Sequence, residues 1–206
     1  MFSLPPRGMA DGGGPTGAKL ALKQIQKADC ALMLRKQENP MDNGDFQPGR
    51  ITPLDGGFEA RLERILGHDR DTVWRMLTEP QALAQWLAPG SIKLRVGGRV
   101  HIDFEDSGRR IESVVRRLDP PSLIEYSWSS GDEPDRPLSW ELDPAGNGTR
   151  LTLTLRLPDG EDIAKACAGF DAHLEMLAAA LEGVPIGFPV DYFLKARRAY
   201  QKAQLG

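Results

Sequence analysis

Cysteine is scarce in this chain. Its 206 residues include two, Cys30 and Cys167, too few for a disulfide framework or a four-thiolate zinc site. That usage suits a reducing compartment, so a cytoplasmic location is expected. Long apolar runs are missing as well. The longest is the six residues of "MLAAAL" (176–181), whereas a membrane-spanning helix needs about 20. The opening "MFSLPPRGMADGGG" lacks a charged region followed by an apolar core, so no secretory signal is expected. There is no excess of positive charge either: the net charge is −3, which argues against a general nucleic-acid binder. No HExxH or CxxC pattern occurs, and no metal site is expected. GxxxxGK[ST] is absent, nucleotide binding is not expected, and "VGGR" (96–99) reads as a turn. No cofactor is expected.

What is present is a globular composition, 40% apolar and 27% charged. The charge is uneven. Residues 1–57 carry seven basic and six acidic residues, residues 190–206 carry four and one, and the block between them holds −7. A basic tail beside an acidic block is expected to dock on it, as a helix with Phe193, Ala196 and Tyr200 along one side. A partner-binding helix is the other reading of that tail.

Residues 1–57 read as an extension, expected to be disordered. "PPRGMADGGGPTG" and "ENPMDNGDFQPGR" are rich in glycine and proline. Between them Ala21, Ile25, Ala28 and Leu32 recur at helical spacing beside Lys19, Lys23 and Lys27. That pattern fits a basic amphipathic helix on a membrane surface or a marginal helix with no fixed partner. No membrane insertion is expected.

From Phe58 the pattern sharpens. "FEARLERIL" alternates, with Phe58, Ala60, Leu62 and Arg64 on one side, as in a strand. Asp69 is an N-cap candidate for a helix presenting Val73, Trp74 and Leu77. Pro80 breaks that helix and opens a second short one, ending before Pro89. "SIKLRV" and "RVHIDF" meet across Gly97-Gly98 as a hairpin. Further alternating runs follow at 110–119, 123–128, 138–142 and 149–157. Together they give an antiparallel meander with one buried face. In 159–183, Ile163, Cys167, Phe170, Leu174, Leu177 and Leu181 form an apolar stripe down one long helix, with Gly183 as its C-cap. The class is α+β: about six to seven antiparallel strands and a long helix must cover each other.

That order carries specific residues with it: "TVWRMLTEPQALAQW", "LRVGGRV", "LDPPSLIEYSW", "WEL", "GTRLTLT" and "GFDAHLEMLAAAL". Together they resemble the SRPBCC (START/Bet v-like) superfamily, in the branch named after the activator of heat-shock chaperone ATPase. The resemblance covers about 52–183 and implies a helix-grip fold, a curved sheet wrapped on the C-terminal helix with a cavity between them. Members usually begin just before the first strand, which favours Met41 as the native start.

The resemblance puts Trp86 near the mouth of the cavity. Alternation directs Phe104, Tyr126, Trp128 and Trp140 from the sheet, and Phe170, Leu174 and Leu177 from the helix. These residues, with His173 at the rim, are the expected lining for a hydrophobic small molecule. The sequence leaves open whether that space is a cavity or a filled core. His173 is the one histidine placed near it, where a neutral-pH base would sit; His68 and His101 read as surface positions. Cys167, inside the apolar stripe, reads as a quiet core thiol. No catalytic set is recognisable. Three functions remain: a hydrophobic-ligand binder; a regulator stimulating a chaperone ATPase through a protein partner, as the family name implies; or a cyclase- or hydrolase-type enzyme, as some superfamily members are.

Overall fold

The structure, a computed structural model, describes residues 48–105 and 107–204. The candidate helix at 18–37 and the start at Met41 lie outside the described residues. An eight-stranded antiparallel sheet runs β1 (Arg50–Leu54), β2 (Gly57–Leu66), β3 (Gly90–Ile92), β4 (Arg99–Phe104), β5 (Arg109–Asp119), β6 (Leu123–Ser127), β7 (Pro137–Ala145) and β8 (Gly148–Pro158). Their order across the sheet is β1-β2-β8-β7-β6-β5-β4-β3. Between β2 and β3 lie α1 (Arg70–Thr78) and α2 (Pro80–Leu83). The long helix α3 (Ile163–Leu181) and the tail helix α4 (Val190–Gln204) follow β8. This is the helix-grip arrangement.

The sheet has one strand more than the alternation suggests. β1 falls in the segment assigned to the extension, ahead of Phe58, and pairs with β2 from Arg50↔Arg61 to Leu54↔Gly57. Its Pro53 and the neighbouring glycines read as linker. An edge strand has one unpaired side, where proline's missing N–H does no harm. At the opposite edge only Ser91 and Ile92 of "SIKLRV", with Gly90 before them, pair with β4. Beyond it the chain turns, with Gly98 N donating to the Arg95 carbonyl.

The buried face is built as period-2 alternation requires. Ala60 and Leu62 of β2, Leu138, Trp140 and Leu142 of β7, and Leu151, Leu153 and Leu155 of β8 are almost fully buried. The pairs Trp140↔Leu153 and Tyr126↔Leu138 fix the register. The register shifts between Val115 and Arg117, and a bulge of this kind adds twist and bend to a strand. α1 begins as its sequence dictates: the Asp69 carboxylate accepts from Thr72 N at 2.8 Å, satisfying one of the open N–H groups of the first turn.

α3 lays Ile163, Cys167, Phe170, Leu174 and Leu177 on the sheet; Leu181 is only half-buried. The helix ends in a Schellman motif. Gly183, at φ 74°, donates to the Ala180 carbonyl, and Val184 N to that of Ala179.

One charged group is built into this core. Arg64 continues the inward alternation of β2 and meets Asp171 of α3 at 2.7 Å. The Tyr200 hydroxyl of α4 donates to the other carboxylate oxygen at 2.7 Å, and Gly49 N donates to that hydroxyl at 2.8 Å. From the middle of α4, Arg197 pairs with Asp162 at 2.6 Å. Four segments therefore meet at one carboxylate. Burial pushes the Asp171 carboxyl above its ordinary value, against the opposing pull of Arg64.

Candidate functional site

A cleft of about 510 Å³ lies between the sheet and α3. Phe104 of β4, Trp128 just past β6, and Leu155 and Leu157 of β8 line the sheet side. Ala166, Gly169, Phe170 and His173 line the helix side, and Phe188 and Phe193 form a third wall. The rings make a chain: Phe104 to Trp128 at 5.8 Å, Trp128 to Phe170 at 5.2 Å, Phe104 to His173 at 6.0 Å, His173 to Phe188 at 5.4 Å, and Phe188 to Phe193 at 5.7 Å. Such edge-on and tilted packing is favourable in itself and holds the walls in place.

The space exists because of what α3 omits. Asp162, Ala166, Gly169 and His173 run along the helix one residue away from the apolar stripe. Two of the four have little or no side chain. A Cβ placed at Gly169 would meet no atom within 4 Å. Glycine inside a helix costs about 1 kcal/mol relative to alanine, and here it leaves the helix backbone open to the cleft.

Charge is confined to the rim. Arg136 is clamped by Glu161, with Nη2 at 2.7 Å, and by Glu133 at 2.8 Å. Arg109 is held more loosely, 3.4 Å from the Trp128 carbonyl and 3.9 Å from Glu133. Lys165 is exposed. The rim therefore sets three cations, Arg109, Arg136 and Lys165, and two paired carboxylates, Glu161 and Asp162, above an aromatic floor, an arrangement suited to a flat apolar body with a polar end.

His173 is the polar group set deepest into the walls. Its Nδ1 lies 3.0 Å from the Trp86 carbonyl oxygen. Burial lowers the imidazole pKa below 6.5, opposed by that hydrogen bond, so the ring is neutral at pH 7. Among the described residues no group of three His, Cys, Asp or Glu is placed to hold a metal ion. No helix there is long and apolar enough to cross a membrane.

The sequence-derived lining divides in two. Phe104, Trp128, Phe170 and His173 stand on the cleft. Trp86, Tyr126, Trp140, Leu174 and Leu177 do not line it; they are packed behind it, almost fully buried. Trp86 is not at the mouth. Its Nε1 donates to the Met76 carbonyl at 2.8 Å, and its ring sits edge-on to Trp140 at 5.7 Å. Tyr126 accepts from Trp140 Nε1 at 3.1 Å. Alternation gives the side of the sheet a residue faces and not whether another element covers it there. Sequence reasoning missed Gly169, the rim cations Arg109 and Arg136, and the wall formed by Phe188 and Phe193. The small residues Ala166 and Gly169 beside the stripe were the available signal.

The profile of the activator of Hsp90 ATPase homolog 1-like family matches residues 68–182. No curated protein matches the chain. Among solved structures, CalU16 from Micromonospora echinospora is 20% identical, with a TM-score of 0.63 over 78% of this chain and 98% of its own. Protein EF2215 from Enterococcus faecalis is 19% identical, with a TM-score of 0.64 over 76% and 90%. DynU16, a protein of the dynemicin biosynthetic locus, is 28% identical, with a TM-score of 0.58 over 65% of this chain and 49% of its own. The first two likenesses are of fold alone. The profile spans both short helices, β3 to β8 and the long helix, and so includes the sheet and helix walls of the cleft; the chain belongs to the activator of Hsp90 ATPase homolog 1-like family.

Proposed function

We propose that this protein binds an aromatic or similarly flat hydrophobic small molecule in the cleft between sheet and α3. The observation that carries the reading is the chain of rings from Trp128 to Phe193 around about 510 Å³ of space, a volume typical of small-molecule sites. The charged groups at the rim favour ligands with a polar end. The occurrence of a similar protein in a biosynthetic locus agrees with a small-molecule partner. The test is a thermal-shift screen of the full chain against aromatic acids and phenols, with native mass spectrometry of hits. A ligand at 100 times its Kd adds about 2.7 kcal/mol, a rise of about 5–11 °C in a domain of this size. Hits that add one ligand mass and vanish in Gly169→Phe support the reading. A broad panel without hits, or hits indifferent to Gly169→Phe, refutes it.

A second reading has its own observation. The connection between α3 and α4 exposes Val184, Ile186 and Phe188, and α4 opens on the exposed Val190, an apolar strip of the kind that protein partners cover. The family name points to a heat-shock chaperone of the Hsp90 class as that partner. Stimulation of such a chaperone's ATPase by the wild-type chain, lost in Ile186→Ser/Val190→Ser, supports this reading. A rate unchanged by the wild-type chain refutes it.

A further inference from the structure

His173 is held in a way that decides what it can offer a ligand. A carbonyl oxygen has no proton to give, so at 3.0 Å from the Trp86 oxygen Nδ1 must be the donor. A neutral imidazole carries one N–H, which leaves Nε2 with a bare lone pair. Nε2 makes no hydrogen bond among the described residues, and it is not one of their sealed, unpartnered polar atoms, which are Arg64 Nε, Thr152 Oγ1 and Arg197 Nε. Nε2 is therefore reachable, and the opening His173 lines is the cleft. Phe104 and Phe188, with centroids 6.0 and 5.4 Å away, fix the ring between them. The other charged groups of the cleft are Arg136, Arg109 and Lys165, which are donors, and the carboxylates of Glu161 and Asp162, which already accept from Arg136 and Arg197.

We infer that His173 Nε2 is a fixed hydrogen-bond acceptor inside the cleft, and that it selects ligands carrying an O–H or N–H donor on a flat apolar body, such as a phenol or enol. This rests on the small-molecule reading above and deepens it. An aromatic wall alone prefers the more hydrophobic of two similar ligands. A bare acceptor in an apolar site reverses that order, because it goes unpaired when the ligand has no donor.

The probes are 1-naphthol and 1-methoxynaphthalene, titrated calorimetrically into the full chain at neutral pH. They share the ring system, and methylation removes only the donor while adding apolar surface. The expected result is roughly 3- to 10-fold tighter binding of 1-naphthol, as one net hydrogen bond supplies. In His173→Phe, which keeps a ring between Phe104 and Phe188, that preference disappears while both probes still bind. Nitrogen-15 spectra of imidazole-labelled protein read the tautomer directly: Nε2 should be the non-protonated nitrogen, with a resonance that moves on adding 1-naphthol and not on adding its ether. No preference in the wild type, a preference that survives in His173→Phe, or a proton found on Nε2 overturns the inference and leaves the cleft as a binding site. Failure of both probes to bind the wild type overturns the small-molecule reading together with it.

Discussion

Replacing Gly169 separates stability from binding. The residue lies within α3, six residues from its first and twelve from its last position, so its backbone is fully helical. A Cβ there meets nothing within 4 Å, and Gly169→Ala introduces no clash. Alanine is the better helix former by about 1 kcal/mol, partly because it restricts the unfolded chain. For a domain of this size that raises Tm by about 2–4 °C. Gly169→Phe adds a ring on the cleft side. It keeps the fold and takes the space between Phe104, Trp128 and His173. Binding of 1-naphthol should weaken about 10-fold or more, since a clash of about 1.4 kcal/mol is enough. Differential scanning calorimetry and isothermal titration on the same samples give both numbers. If Gly169→Ala lowers Tm, the space beside α3 is not free. If Gly169→Phe folds and binds 1-naphthol as the wild type does, the cleft is not where the probe sits.

Other outcomes follow from the core. Tyr200→Phe removes the hydroxyl that donates to Asp171 at 2.7 Å and should cost about 1.5–3 kcal/mol in urea unfolding; no loss would mean that α4 is not held through this carboxylate. Asp171→Ala leaves the largely buried Arg64 with only the more distant Glu175 carboxylate, at 3.7 Å, and should cost more, about 3–5 kcal/mol. Burial holds the His173 pKa below 6.5, so as pH falls the unfolded chain takes the proton first. Stability should then decline from about pH 6.5 downward, levelling off once the folded-state pKa is passed. In His173→Phe, Tm between about pH 7.5 and 5 should fall less than in the wild type; equal slopes would refute the burial argument. Burial pushes the Cys167 thiol up to about 12, so in a Cys30→Ser background a thiol reagent should label the protein only on unfolding. Rapid labelling of the folded protein would contradict that.

Much of the fold was legible because its signals are local. A period of two marks each long strand, and a period near 3.6 marks α3. Asp69, Pro80 and Gly183 set helix ends through hydrogen bonds and torsions spanning only a few residues. β1 escaped because an edge strand that is half exposed, with Pro53 in it, needs no apolar alternation. Its pairing with β2 is what marks it as part of the sheet.

Residue order thus determined the class, the succession of elements, the apolar face of each and the family resemblance. It did not determine which aromatic residues stand at an open surface. Tyr126 and Trp128 were assigned to one face of one run, yet Tyr126 is sealed and Trp128 borders the cleft, because the strand ends at Ser127 and the elements above the two rings differ. Phe188 meets His173 only after α3 has ended and the chain has doubled back. The vacancy at Gly169 is a property of the space around the helix, not of the glycine. Periodicity reports the direction in which a side chain leaves its own backbone. Burial depends on what a distant part of the chain places opposite it, and only the tertiary structure decides that.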